Sequence, residues 1–153
     1  VHLVETPVTD PDAQLLLEHY FASRGDGFPP ELGTYRVTFP DPTKFLPPHG
    51  VFVVLRGEGD VPLGCGGIRR LDDATFEVKH VWLEPAARGQ GWAGILMQHL
   101  EDRAKSLGAA AVLLDTNASL LGAAKLYARR DYENIPAYND NPNATNWYRK
   151  DLA

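Results

Sequence analysis

The sequence of 153 residues carries a single cysteine and a single methionine. One cysteine excludes an intrachain disulfide framework and every cysteine-based zinc site. Cys65, set in GCGG, reads as a small core residue rather than a nucleophile. The five histidines lack HExxH-type spacing, so no metal site is indicated. Positive charge is scarce: 15 Lys and Arg stand against 20 Asp and Glu, for a formal net charge of −5. The basic residues are also scattered rather than clustered, which argues against nucleic acid as the main partner. Long apolar runs are missing too. The nearest approach, SLGAAAVLLDTNASLLGAA, is interrupted by Asp115, Asn117 and glycines, and a mid-helix aspartate is costly in lipid, so no membrane association is expected. The opening VHLVETPVTDPD has neither the basic nor the apolar region of a secretory signal, and a cytoplasmic protein is the expectation.

The length suits one domain, residues 1–153, large enough to bury a real core. HLVETPV can form a first strand. Asp10 is then a good N-cap with Pro11 at the first helical position, and Ala13, Leu16, Leu17, Tyr20 and Phe21 follow at helical spacing. Gly25 to Gly50 is rich in Pro and Gly without a clear period, which predicts a loop with one short helix, placed to line a substrate cleft. VFVVLRGEGDVPLGCGGIRRLDDATFEVKHVWL gives three extended runs separated by GEGD and LDDA, an antiparallel meander. An amphipathic helix follows, with Ala93, Leu96, Met97, Leu100, Ala104 and Leu107 on one face and Gly108 ending it. AAVLLD is a continuous apolar run, as expected of a strand covered on both sides, so strand, helix and strand make a right-handed parallel crossover. A helix from about Ser119 to Arg130 and strands around Tyr132 to Ile135 and Trp147 to Leu152 complete the chain. The fold class is α+β: a mixed sheet, antiparallel in its first half, flanked by about four helices.

The meander leads into RGQGWAG, Arg88 to Gly94. GQGWAG matches the dinucleotide fingerprint G-x-G-x-x-G, and Asp115 ends the next strand about where a ribose-binding acid belongs. Against a dinucleotide, EPAAR intervenes between strand and glycine, the turn follows an antiparallel meander, and the chain after Gly91 is too short for a second nucleotide half. A cradle for the pyrophosphate of coenzyme A is the second reading. Gly89 and Gly91 admit close backbone approach, the first-turn amides of the helix point at the phosphates, and Arg88 adds a full charge. A plain connection that binds nothing is the third.

Three motifs in register resemble the GNAT superfamily of N-acetyltransferases. The family's R/Q-x-x-G-x-G/A falls on Arg88, Gly91 and Ala93; EVKHVWLEPAARGQG matches its strand-to-turn wording; and LLDTNASLLGAAKLYARRDYENIPAYNDNP is similar to a bacterial subgroup pattern. The match runs from roughly Val61 to Leu152. His80, Trp82, Asn117 and Asp131 depart from the usual Arg, Tyr, Gly and Gly. The resemblance implies two splayed parallel strands with acetyl-CoA between them as cosubstrate. Its pantetheine would lie along Val81, Trp82 and Leu83. Its pyrophosphate would sit on Arg88, Gly89, Gln90, Gly91, Trp92, Ala93 and Gly94, and Asn117 and Leu120 would touch the pantetheine arm. The implied activity is transfer of an acetyl group to a primary amine of a small molecule, amino acid or peptide. A non-catalytic domain that senses acyl-CoA is the competing class, and assembly as a homodimer is left open.

Transfer to an amine requires loss of the amine proton, stabilisation of the thioester oxygen and a proton for the leaving thiolate. The resemblance makes Tyr127, in KLYARR, the general acid; helical spacing alone lets it complete the stripe of Leu120, Ala123 and Ala124. Glu77 is the candidate base, since period-two alternation puts it on one face with Lys79, Val81 and Leu83. An ion pair with Lys79 or Arg69 is its bland alternative. His80, on the other face by the same alternation, is held in reserve as a base, as is a water chain.

Overall fold

The computed structural model describes residues 1–153. In chain order the elements are β1 (His2–Glu5), α1 (Pro11–Asp26), β2 (Gly50–Arg56), β3 (Pro62–Arg70), β4 (Thr75–Leu83), α2 (Trp92–Ser106), β5 (Ala111–Thr116), α3 (Leu121–Arg129), β6 (Glu133–Ile135) and β7 (Asn146–Asp151). One seven-stranded sheet has the order β1-β2-β3-β4-β5-β7-β6. Its only parallel pair is β4 with β5, joined through α2.

Local chemistry accounts for the element ends. The Asp10 carboxylate accepts hydrogen bonds from the amides of Asp12 and Ala13 at 2.9 and 3.3 Å, satisfying donors that α1 leaves free at its start. Gly108, at φ +101°, follows α2, and the Ala109 amide returns to the Ala104 carbonyl at 3.0 Å, a left-handed stop. Two apolar clusters cover the two faces of the sheet. Val8, Ala13, Leu16, Leu17, Phe21, Phe45, Phe52, Val54 and Cys65 pack under α1. Leu96, Met97, Leu100 and Ala104 of α2 meet Ile68, Phe76, Val78, Val112 and Leu114 on the other side.

The helix count is lower than expected. There are three α-helices rather than four, because Gly25–Gly50 holds only two short 3-10 turns, Pro30–Leu32 and Pro42–Phe45. Prolines in this stretch remove amide donors that a longer helix needs. Cys65 is fully buried, with its thiol donating to the His80 carbonyl at 3.4 Å.

Pairing between β4 and β5 is confined to Thr75–Glu77 against Ala111–Leu113. Beyond that point the strands diverge, although β5 stays paired with β7 along its whole length. A bulge in β4 accompanies the split. Cys65 faces Trp82 but Gly67 faces Lys79, and His80 sits at φ 59°. The extra residue shifts the alternation, so Val81 packs into the α2-side cluster while His80 and Trp82 turn toward α1. Glu77, Lys79, Val81 and Leu83 therefore do not share one face, and His80 lies on the Glu77 side. Period-two counting holds only as long as the strand is regular.

Candidate active site

The divergence of β4 and β5 opens a cleft of about 670 Å³. Val81, Trp82 and Leu83 line one wall, Leu114, Asp115 and Thr116 the other. His80 and Val81 have no register partner in either neighbouring strand, and the edge of β4 beyond Glu77 is not paired with β5. The segment Tyr35–Phe45 and the loop after β6, through Asn139, Asn141 and Asn143, close the far end. Those asparagines also tie the walls together. Asn143 donates to the Arg36 carbonyl at 2.8 Å and accepts from the Arg36 amide at 2.9 Å, while Asn117 donates to the Asn143 carbonyl at 3.1 Å.

At the near end the glycine turn leads into α2. Gly89 and Gly91 both have φ +81°, and a side chain at either would meet open space. Gly91 is the N-cap of α2 without any side-chain cap, so amides of Trp92, Ala93 and Gly94 lack intrahelical partners and point outward with the positive end of the helix dipole. This is a fitting seat for a diphosphate. Arg88 lines the cleft beside it. Its guanidinium lies 4.8 Å from the Trp82 ring centre and donates to the Leu83 carbonyl at 3.1 Å. Leu120, at the start of α3, lines the cleft. Asn117 is buried and its amide is occupied by Asn143 and the Ser119 amide, so it shapes the loop from behind.

Tyr127 lines the same cleft and is only 7% exposed. Its ring packs against Tyr132 and Tyr148 with centroids 5.5 and 5.8 Å away. Its hydroxyl has no hydrogen-bond partner in the protein. Burial pushes the phenol up to about 12, against a lowering influence of the Arg24 charge. The group is thus protonated across the physiological range, and its unpartnered hydroxyl can donate a hydrogen bond to a guest.

The carboxylate of Glu77 is sealed. The residue is 0% exposed and does not line the cleft. Arg69 donates to Oε1 at 2.9–3.0 Å, Tyr138 donates to Oε2 at 2.6 Å, and the Lys79 ammonium is 3.8 Å away. With both oxygens engaged and no exposed surface, the carboxylate is held in the ion pair with Arg69 that was its alternative reading. Glu77→Gln is expected to lower unfolding free energy by about 1.5–3 kcal/mol, the scale of a charged hydrogen bond, and to leave the acidic limb of the rate–pH profile in place. Urea melts and a pH profile on one preparation check both; an unchanged melt with the acidic limb gone would restore the base role.

Asp115 is also engaged. Lys79 donates to Asp115 at 3.2 Å, and Asn139 and Asn141 donate to its other oxygen at 2.8 and 3.1 Å. Burial raises the Asp115 pKa, yet the Lys79 charge and the two amides outweigh it, and the group stays below the usual carboxylate range. His80 is caged by the rings of Tyr20, Phe21 and Phe45 at 5.6–5.9 Å, and its Nδ1 has no partner. Burial, with the Lys79 charge, lowers its pKa to about 3. It is therefore neutral near pH 7 and a weak base, unlike a free imidazole. Of the aromatic residues in these segments, Tyr35 and Trp82 line the cleft, whereas Tyr138 serves Glu77. Sequence reasoning missed Arg24, which lies in no motif, and Asn139, Asn141 and Asn143, which lie at the end of the quoted subgroup stretch or just beyond it, past the positions its pattern specifies.

A family model described as "Acetyltransferase (GNAT) family" matches residues 13–132. The chain is 30% identical over 131 residues to a protein named IAA acetyltransferase from Azospirillum brasilense, covering 84% of this chain and 80% of that one. It is also 30% identical over 100 residues to a Schizosaccharomyces pombe protein named as an uncharacterized N-acetyltransferase; that match covers 65% of this chain and 61% of the yeast protein's length. Among solved structures, a GNAT-family acetyltransferase of Staphylococcus aureus superposes with a TM-score of 0.80 at 15% identity, covering 99% of both chains. A phosphinothricin acetyltransferase of Sinorhizobium meliloti, crystallised with AcCoA, gives 0.73 at 18% identity, covering 99% of this chain and 88% of that one. At such identities the likeness is one of fold. No helix here is long and apolar enough to cross a membrane.

Proposed function

Because the chain belongs to the GNAT acetyltransferase family, we propose that it moves the acetyl group of acetyl-CoA directly to a primary amine. Acetyl-CoA is the cosubstrate and supplies the acetyl group as a thioester. The observation that carries the reading is Tyr127, a protonated phenol without a protein partner on the wall of the cleft. On the side facing β5, Val81, Trp82 and Leu83 offer an unpaired strand edge for the pantetheine, and backbone amides of that edge stabilise the thioester oxygen as charge develops. Gly89 to Gly94 and Arg88 hold the diphosphate. Tyr127 gives its proton to the departing sulfur.

Asp41, Asp115 and His80, which line the cleft, are all poor bases near pH 7. Asp41 is held low by hydrogen bonds from the Thr43 hydroxyl and amide, Asp115 is held low as described, and His80 has a pKa of about 3. The amine proton therefore leaves to water in the open cleft. Thioester consumption with free thiol release, measured over a panel of amines, tests the activity. Turnover at subsaturating amine is expected to rise with pH toward the pKa of the amine itself. Binding of acetyl-CoA without turnover on any amine would leave an acyl-CoA sensor instead.

A further inference from the structure

The cleft has a sign that the whole chain lacks. Its lining includes six cations, Arg24, Arg36, Lys44, Arg69, Lys79 and Arg88, against two carboxylates, Asp41 and Asp115, in a chain of net charge −5. Three cations have assignments. Arg69 pairs with Glu77, Lys79 with Asp115, and Arg88 stands beside the diphosphate seat. Arg36 and Lys44 are exposed and therefore cheaply solvated. Arg24 is different.

Arg24 lies in the last turn of α1 and is only partly exposed. Its guanidinium sits 5.3 Å from the centre of the Tyr35 ring, and the end of a helix favours a cation there. These contacts fix the side chain in place without engaging its N–H groups. It makes no salt bridge and no side-chain hydrogen bond. Phe21 stands 6.4 Å from Tyr35 and 5.0 Å from Phe39, so the space around the guanidinium is apolar and aromatic. The Arg24 charge is also felt by Tyr20, Tyr35 and Tyr127, which puts it within electrostatic reach of the proposed acid. A partly desolvated guanidinium with five free donors matches a carboxylate in bidentate geometry.

We infer that Arg24 anchors the carboxylate of the acceptor, and hence that the acceptor is an amino acid or another small amine bearing an acidic group, its apolar part resting on Tyr35, Phe39 and Phe21. This rests on the N-acetyltransferase reading. Amine and carboxylate would be held at two points, the amine toward Tyr127 and the carboxylate toward α1.

The test compares L-amino acids with their carboxamides, phenylalanine and phenylalaninamide first, in wild type and in Arg24→Gln. In wild type the acid is expected to exceed the amide in kcat/KM by about 10- to 100-fold, the worth of one charge-assisted pair. Arg24→Gln should erase that preference by raising KM for acids but not for amides. The Kd for CoA should be unchanged, which shows that the variant is folded, and any loss in kcat from removing a charge near Tyr127 should be shared equally by acids and amides. Arg24→Lys should restore part of the preference. Equal use of acid and amide by wild type, or a preference that survives in Arg24→Gln, overturns the anchor. If wild type acetylates nothing, calorimetry of the same acids and amides on the CoA-bound protein decides separately. Acid binding lost in Arg24→Gln sustains the anchor while the enzyme reading falls, and absence of any acid binding removes both.

Discussion

Tyr127→Phe is expected to lower kcat by about 10²–10⁴-fold at nearly constant acetyl-CoA affinity, the usual range for removing a general acid. Packing and catalysis make opposite forecasts at this residue. The ring is 7% exposed and stays against Tyr132 and Tyr148 in the Phe variant. Its hydroxyl bonds nothing in the protein, so losing it should alter stability by no more than about 0.5 kcal/mol. A residue that only packs would then be silent in both assays. The loss in rate should shrink for acyl donors with more acidic leaving thiols, which need the proton less. Because burial pushes the phenol up to about 12, its ionisation adds no basic limb to the wild-type profile below about pH 11. A wild-type kcat in the Phe variant, measured where chemistry limits the rate, ends the general-acid assignment.

Much of this architecture is legible in the sequence, for identifiable reasons. The Asp10–Pro11 cap, the α2 stripe closed by Gly108 and the apolar run of β5 are local signals, and local hydrogen bonding or periodicity fixes each of them. The glycine turn was readable because only glycine adopts φ near +81° freely. What was not legible depends on irregularity or on distance. The bulge at His80 leaves no mark in FEVKHV, since any residue there looks like ordinary strand, and it reverses the facing of every later residue in β4. Glu77 illustrates the second kind of failure. An acid in a strand reads the same whether it faces a cleft or a partner, and its partner Tyr138 lies 61 positions away. Arg24 belongs to the same kind, one basic residue at the end of a helix until folding surrounds it with aromatic rings.

Gly91→Val is expected to weaken acetyl-CoA binding by about 10²-fold or more, the scale of two lost charge-assisted contacts to backbone amides. Two effects act together. A side chain at Gly91 meets no protein atom within 4 Å, so the added methyls occupy the open space through which a phosphate approaches. The backbone at φ +81° is also unfavourable for a β-branched residue, at about 1–3 kcal/mol. Strain alone would lower stability without singling out the cofactor, and Gly59 supplies the control. It too has positive φ, +71°, and open surroundings, but it lies in the turn between β2 and β3, away from the cleft. Gly59→Val should lose comparable stability and keep the wild-type Kd. Arg88→Ala should weaken binding by the smaller amount of one contact, about 10- to 100-fold. Calorimetric titration with acetyl-CoA, CoA and NAD distinguishes the cradles. Heat is expected with the two coenzyme A ligands and none with NAD, and equal affinity for acetyl-CoA in the Gly91→Val and Gly59→Val proteins would remove the diphosphate from this turn.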